Sequence, residues 1–232
     1  MGGAESVQTN EKHNGFRIYK LIPNGPLEKA NLKIIDDFII PPEELFLKKI
    51  PFCDWVKEKA EQTIKLQIYS LSKRAIKEIE IKVNPIGSPE GFLGGSVRFE
   101  NYQTAERKVL HALKVKEKSF AKEQLGLTPF EDYLIAIRPN KGDILSLNKT
   151  VGNPLELFSE MIKANLGKEC EFYIYNKNKG GRCVTAKIAG DGSFELGCDV
   201  AYGKLHEFPF DEDDNNEEKK KLREEMGEMQ II

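Results

Sequence analysis

The sequence predicts an α+β fold, mainly β, made of two tandem copies of one small unit. Three observations predict it. The first is internal repetition, the signature to seek before any single motif. Ala30-Asn31-Leu32 and Asp36-Asp37-Phe38-Ile39-Ile40 recur 95 residues later as Leu125-Gly126-Leu127 and Glu131-Asp132-Tyr133-Leu134-Ile135. Leu66-Gln67-Ile68-Tyr69 then matches Phe172-Tyr173-Ile174-Tyr175, and Leu93-Gly94-Gly95-Ser96-Val97-Arg98-Phe99 matches Leu196-Gly197-Cys198-Asp199-Val200-Ala201-Tyr202. The second is that most apolar runs are short and bounded by Gly, Pro and Asn, as strands are. The third is that each copy carries a single longer amphipathic stretch, so each unit reads as a β-barrel-like sheet, partly open, capped by two helices.

In the first copy, Phe16 to Ile22 reads as a strand, and Asn24-Gly25-Pro26 turns the chain into a short helix, Leu27 to Asn31. Asp37 to Ile40 is a buried strand stopped by Pro41-Pro42. Phe52-Cys53-Asp54-Trp55-Val56-Lys57 opens a helix reaching about Gln62. Strands follow at Ile64 to Ser70 and Ile76 to Val83, and a Gly/Pro-rich loop from Pro85 to Gly95 feeds a last strand, Ser96 to Phe99. The second copy repeats this with a strand at Val109 to Val115, a short helix at Ser119 to Leu125 and a strand at Tyr133 to Ile137. A polar loop, Pro139 to Asn153, leads to a helix from Leu155 to Asn165 that puts Leu155, Phe158 and Ile162 on one face. Strands at Glu171 to Tyr175 and Cys183 to Ile188 precede the second glycine loop. The expected boundaries are a first unit at 15–104, a second at 105–209, and segments 1–14 and 210–232 outside them, the latter a charged, mobile tail.

With 232 residues and 40% hydrophobic content, the chain has material for two cores. No run approaches the roughly 18 apolar residues of a membrane-spanning helix, and no leader is expected, which places the chain in the cytosol. The 35 basic and 37 acidic residues nearly balance. From Asp211 to Glu228, however, nine acids stand against four bases, leaving that segment at −5 and the rest at +3. So weak a positive charge argues against nucleic acid as a partner. Cys53, Cys170, Cys183 and Cys198 form no CxxC pair and are expected reduced and mostly buried.

The repeated glycine loop is the candidate site. Backbone N–H groups at Leu93, Gly94, Gly95 and Ser96 can cradle a carboxylate, and the edge of the following strand can accept an extended peptide. Gly94 and Gly95 either let a ligand chain approach closely or simply make a tight turn. Among the histidines, His13 belongs to the N-terminal segment and His111 alternates with apolar neighbours, as a packed residue does. No GxSxG, HExxH, GxxxxGK[ST] or GxGxxG occurs, and Asp36-Asp37 and Glu131-Asp132 begin strands, where acids serve turns. Neither catalysis nor a cofactor is expected. No zinc site is expected at Cys183 and Cys198, which lack a His at ligand spacing.

These residues resemble the GRASP family, the Golgi reassembly and stacking proteins, whose module is two circularly permuted PDZ domains. The resemblance runs from residue 1 to about 209. It rests on Met1-Gly2-Gly3, Asp37-Phe38-Ile39, Ile68-Tyr69-Ser70, Leu93-Gly94 with Ser96-Val97-Arg98-Phe99, Asp132-Tyr133-Leu134-Ile135, Leu157-Phe158-Ser159, Tyr173-Ile174-Tyr175-Asn176, Leu196-Gly197-Cys198 and Tyr202-Gly203-Lys204-Leu205-His206. It implies a peripheral Golgi tether on the cytoplasmic face, held by myristate on Gly2 in the acceptor pattern Met1-Gly2-Gly3-Ala4-Glu5-Ser6. One myristate binds membranes marginally, and residues 2–12 carry Glu5 and Glu11 against Lys12, so the second attachment is a protein, in this family a golgin coiled-coil protein.

The resemblance also implies homotypic self-association in trans. The first groove comprises Trp55, Val56, Leu93, Gly94, Gly95, Ser96 and Val97; the second comprises Phe158, Ile162, Leu196, Gly197, Cys198, Asp199 and Val200. Tyr202, Gly203 and Leu205 match an internal peptide that some relatives insert into the first groove, although Ala201 replaces a glycine and Lys204 an aromatic. Trp55 replaces a leucine-type residue and serves either groove or core. Arg17 and Glu100 stand where animal members can carry His and Cys, and the family's Ser/Pro-rich regulatory tail has no counterpart. The alternative implied function is a cytosolic PDZ scaffold or cargo adaptor in unconventional secretion.

Overall fold

The computed structural model describes residues 13–210 apart from 141, 150–151 and 191–193. Gly2 and the charged segment from Asp211 lie outside the described residues. The first unit contains β1 (Asn14–Leu21), α1 (Pro26–Lys29), β2 (Asp37–Ile39), α2 (Glu43–Lys48), α3 (Phe52–Glu58), β3 (Thr63–Ser70), β4 (Ala75–Lys82) and β5 (Gly95–Asn101). After α4 (Tyr102–Arg107), the second contains β6 (Leu110–Val115), α5 (Phe120–Glu123), β7 (Asp132–Pro139), β8 (Leu145–Ser146), α6 (Pro154–Ala164), β9 (Glu169–Asn176), β10 (Gly180–Lys187) and β11 (Cys198–Ala201).

Both sheets are antiparallel and their orders coincide. The first runs β4-β3-β2-β1-β5 and the second β10-β9-β7-β6-β11, with β8 added beside β7. In each, the last strand in sequence pairs with the first, Phe99 opposite Phe16 and Val200 opposite Ala112. Both sheets are open, as the expected partly open units require: among the described residues no pairing joins β4 to β5 or β10 to β11. Tight hairpins, β3–β4 and β9–β10, close one end of each sheet, and β5 and β11 are the edge strands at the other end.

Local chemistry sets the helix starts. Pro26 and Pro154 occupy the first turns of α1 and α6, where proline's missing N–H costs nothing. Asn153 and Ser119 accept hydrogen bonds from Leu155 and Lys122 N–H as N-caps. Asn101 caps α4 through Thr104 N–H, so what reads as a bare joint is a helix, and the expected division at 104/105 falls inside it. Two more elements escape the sequence pattern. Helix α2 follows the Pro41-Pro42 stop, and the expected polar loop at 139–153 contains β8 and a 3-10 turn whose Leu147 is fully buried. In α6 the buried face carries Phe158, Met161 and Ile162, while Leu155 points largely to solvent.

Each sheet is covered on both faces. Ile18, Leu66 and Ile68 face the first unit's own core, and Leu134, Phe172 and Ile174 the second's. The opposite faces meet in a third core that includes Tyr19, Phe38, Tyr102, Tyr133, Tyr173 and Phe208. Tyr19 sits at a bulge between β1 and β5 and meets Tyr173 edge-on at 4.9 Å. Arg17 and Glu100 form a buried ion pair there, Nη1 to Oε2 at 3.6 Å. Arg17 Nε also donates to the Ile35 carbonyl (2.7 Å), and Glu100 accepts from Tyr19 (2.8 Å) and, across the seam, from Ser146 and Asn148 (3.3 and 3.4 Å). Burial and the neighbouring Glu100 carboxylate push the Tyr19 phenol far above its ordinary pKa.

All four cysteines are free, and only Cys170 is buried; Cys53 and Cys183 are exposed, against the expectation of mostly buried thiols. His13 is packed, its ring edge-on to Tyr102. Among the described residues, no cluster of three His, Cys, Asp or Glu could hold a metal ion, and no helix is long and apolar enough to cross a membrane.

Candidate functional site: two edge strands and their helices

The two glycine loops have the same backbone wiring. In the first, Ile22 N–H donates to the Gly94 carbonyl (2.8 Å) and Leu27 N–H to the Leu93 carbonyl (3.0 Å). In the second, Lys116 N–H donates to Gly197 and Ala121 N–H to Leu196, both at 2.9 Å. The carbonyls are thus tied inward to the strand and short helix that precede them. Among the described residues, the N–H groups of Leu93, Gly94, Leu196 and Gly197 make no hydrogen bond within the chain. Two successive amides left over beside a strand edge are donors of the kind that anion-binding concavities use.

The glycines themselves answer to packing. Gly94 has φ +68°, and a Cβ there would lie 2.5 Å from Gly25 Cα. A Cβ on Gly95 would meet the Lys20 carbonyl at 2.5 Å. Gly197, with φ +70°, would drive a Cβ into Ser119 at 2.3 Å. Close approach of the chain to itself therefore demands glycine here, as a tight turn does.

β5 continues from the first loop with only its inner edge paired, from Leu21 opposite Gly95 to Asn14 opposite Asn101. Ser96 and Val97 follow the loop, and Val97 packs partly buried against the core that contains Trp55 and Val56. Trp55 and Val56 are only 4% and 2% exposed and belong to the core beneath β5. Trp55 is a core residue: its indole N–H donates to Glu44 of α2 at 2.7 Å. Hydrogen bonds from Lys48, Trp55 and Lys59 hold the Glu44 carboxyl down at about pKa 2.

Three aromatic residues outside the sequence-derived set lie beside them. Phe16 stacks on Phe52 at 4.2 Å and contacts Phe99 at 5.1 Å, while Phe52 stacks in turn toward Trp55. Phe99 is 48% exposed. Its signal was the alternation Gly95, Val97, Phe99 along β5, which puts it on the same side as Val97.

In the second unit, β11 pairs with β6 on one edge only, with Cys198 opposite Val115 and Asp199 opposite Lys114. Leu196, Cys198 and Val200 pack partly buried against a core that includes Phe158 and Ile162 of α6, while Asp199 is exposed. Downstream, Tyr202 and Leu205 are 43% and 51% exposed. They sit around a turn at Gly203, closed by His206 N–H to the Gly203 carbonyl (2.8 Å). His206 Nδ1 lies 3.0 Å from His111 Nδ1, and His111 stacks on Tyr133 at 4.3 Å. Burial pushes the His206 pKa below its ordinary value. The backbone of 202–205 is thereby pinned from behind while its apolar side chains face outward.

The model of the GRASP55/65 PDZ-like domain matches this chain twice, over residues 4–88 and 87–211. That division falls before β5, although β5 pairs with β1 of the first sheet. Human Golgi reassembly-stacking protein 1 is 29% identical over 213 residues, 89% of this chain and 46% of the relative. The mouse protein of that name is 28% identical over 90% of this chain and 45% of its own length. The GRASP65 homolog protein 1 of Saccharomyces cerevisiae (strain ATCC 204508 / S288c) is 32% identical over 100 residues, 43% of this chain. The chain spans less than half the length of these relatives.

Proposed function

We infer the function of this chain from its family: it belongs to the GRASP family, as two tandem GRASP PDZ-like domains. It acts as a Golgi tether, linking apposed membranes by self-association in trans through its groove and docking golgin-type C-terminal peptides. The observation that carries this reading is the pair of open edge strands, each preceded by two amides with no partner in the chain. An extended peptide adds to such an edge as a further strand, with its carboxylate at the loop amides. Phe16, Phe52 and Phe99 then offer an apolar floor to alternate side chains in the first groove. Tyr202 and Leu205, exposed on a turn of the second unit, are the segment offered to a facing copy.

Myristate on Gly2 supplies the membrane attachment, with the golgin as the second anchor. Weak groove contacts multiplied over two facing membranes add by avidity, so modest single-site affinity suffices. The test is clustering of liposomes by the full chain attached through its N-terminus, followed by light scattering. Val97→Asp buries a charge and abolishes clustering. Phe99→Glu, at a half-exposed position that leaves the core intact, and Leu205→Ser on the donor segment each reduce clustering at least tenfold. Undiminished clustering by the Phe99 and Leu205 variants overturns the groove-mediated tether. Absence of clustering by the unaltered chain favours the scaffold function.

A further inference from the structure

At the seam between the two units lies a cavity of about 640 Å³, separate from both grooves. Its rim carries Lys20 and Lys33 from the first unit and Lys177 and Lys179 from the second, and no Asp or Glu lines it. Among the described residues, none of these four ammonium groups has a carboxylate within ion-pair distance. All four lysines are exposed, and their concentration around one concavity focuses a positive potential there. The hairpin bearing Lys177 and Lys179 packs so closely on the first unit at Gly181 that an added Cβ would clash with the Ile34 carbonyl. The four charges are therefore assembled only when the two units are docked.

The chain passes this cavity on its way out of the seam. Phe208 donates its N–H to the Glu106 carbonyl and packs on Tyr175, a cavity-lining residue, at 4.2 Å. Phe210 then lies against Arg74, 4.0 Å from its guanidinium carbon, two residues beyond the lining residue Ser72. The next eight residues, Asp211 to Glu218, hold six acids and no base. At about 3.3 Å per extended residue, four of them reach roughly 13 Å, enough to cross a cavity of this size.

We propose that the lysine-ringed cavity is a docking site for acidic peptide, and that its occupant is segment 211–218 of the same chain. The segment is joined to the seam by Phe208 and Phe210, so its effective concentration at the cavity is high without any membrane or partner. Docked there, it ties the two units together by charge.

The test uses a carbodiimide to form amide bonds between touching carboxylates and ammonium groups in the full chain, with an equal mixture of ¹⁴N and ¹⁵N copies. Mass spectrometry is expected to find links from residues 211–218 chiefly to Lys20, Lys33, Lys177 and Lys179, within single-isotope chains. Lys177→Gln with Lys179→Gln, on an exposed hairpin, is expected to lower the yield at least fivefold. A synthetic peptide of residues 210–218 is expected to bind at least tenfold more tightly to a full chain whose six acids are changed to Asn and Gln than to the unaltered chain. Links spread over exposed lysines at large, or equal peptide affinity for both chains, would overturn the proposal. Mixed-isotope links would overturn it in favour of a second copy as occupant.

Discussion

The two units bury an aspartate at the same place and treat it differently. Asp37 begins β2 and Asp132 begins β7, and each accepts a backbone N–H from the preceding turn, Lys33 at 2.9 Å and Thr128 at 2.7 Å. The neighbouring hairpin strand presents a cation at matching register, Lys77 opposite Ile68 and Arg182 opposite Ile174. Arg182 reaches both carboxylate oxygens of Asp132 at 2.8 Å and also donates to the carbonyl of Gly126. Lys77 stops 4.0 Å from Asp37. Burial raises the Asp37 pKa to about 6, with too little from Lys77 to offset it. Burial also acts on Asp132, but hydrogen bonds from Arg182, Thr128 and Asn176 outweigh it, and the pKa falls below its ordinary value. A planar fork matches a carboxylate where a point charge on a flexible stem does not.

A second equivalent pair sharpens the contrast. Arg17 and His111 occupy the same position of β1 and β6, opposite Arg98 and Ala201. In the second unit a neutral-capable ring meets another ring, His206. In the first, a permanent cation is shut inside the seam and depends on Glu100. Removing that partner is the largest effect expected. Glu100→Ala leaves Arg17 charged and uncompensated, and should cost about 3–5 kcal/mol in urea unfolding. Arg17→Met combined with Glu100→Leu should recover most of the loss, since two apolar side chains carry no desolvation penalty. A double variant no more stable than Glu100→Ala would mean that the ion pair itself, not the relief of a stranded charge, holds the seam.

The aspartates give the next effects, opposite in sign. Asp132→Asn should destabilise by about 2–3 kcal/mol at pH 7, because a charge-assisted pair is lost. Asp37→Asn should stabilise by about 1–2 kcal/mol at the same pH, since the native carboxyl resists ionisation. The pH dependences follow. Asp37, with its pKa raised in the folded state, contributes stability below pH 4 that is lost as pH rises through about 6. Asp132, with its pKa lowered, contributes stability above pH 4 that is lost as pH falls through its depressed value. Below about pH 3 the Asp37 variant should therefore match the unaltered chain. A destabilised Asp37→Asn protein at pH 7 would show that Lys77 pairs with this carboxylate after all.

The repeat was legible because identical backbone needs recur as identical residues. Leu-Gly at 93–94 and at 196–197 is fixed by the same inward hydrogen bonds and the same lack of room for a Cβ. The runs Phe38-Ile39 and Tyr133 to Ile137 announced strands covered on both faces, one by helices and one by the other unit. The seam's polar chemistry was hidden. Arg17 and Glu100 are far apart in sequence and charged, which reads as surface, and nothing local says that a sheet edge and a 3-10 turn will enclose them. Helix α2 was hidden for a similar reason. Its Phe46 and Leu47 are exposed, so it lacks a clear apolar stripe, and a single buried leucine, Leu45, and the Glu44 contact to Trp55 tie it to the fold. For the grooves, the sequence indicated the loop and strand; the aromatic floor needed Phe16 and Phe52 brought together across the fold.

The smallest expected effect tests the comparison most directly, because it transfers one unit's solution to the other. Lys77→Arg places a guanidinium where the second unit has Arg182, within reach of Asp37 if the hairpin strands are equivalent in space as they are in register. The side chain at 77 is about half exposed (48%), so solvent screens the new pair and the gain should be about 0.5–1 kcal/mol. The Asp37 carboxyl, followed by NMR titration, should move down from about 6 toward its ordinary value, which shifts the loss of stability to lower pH. A titration unchanged by Lys77→Arg would locate the difference between the two units in the backbone around Asp37, not in the choice of cation.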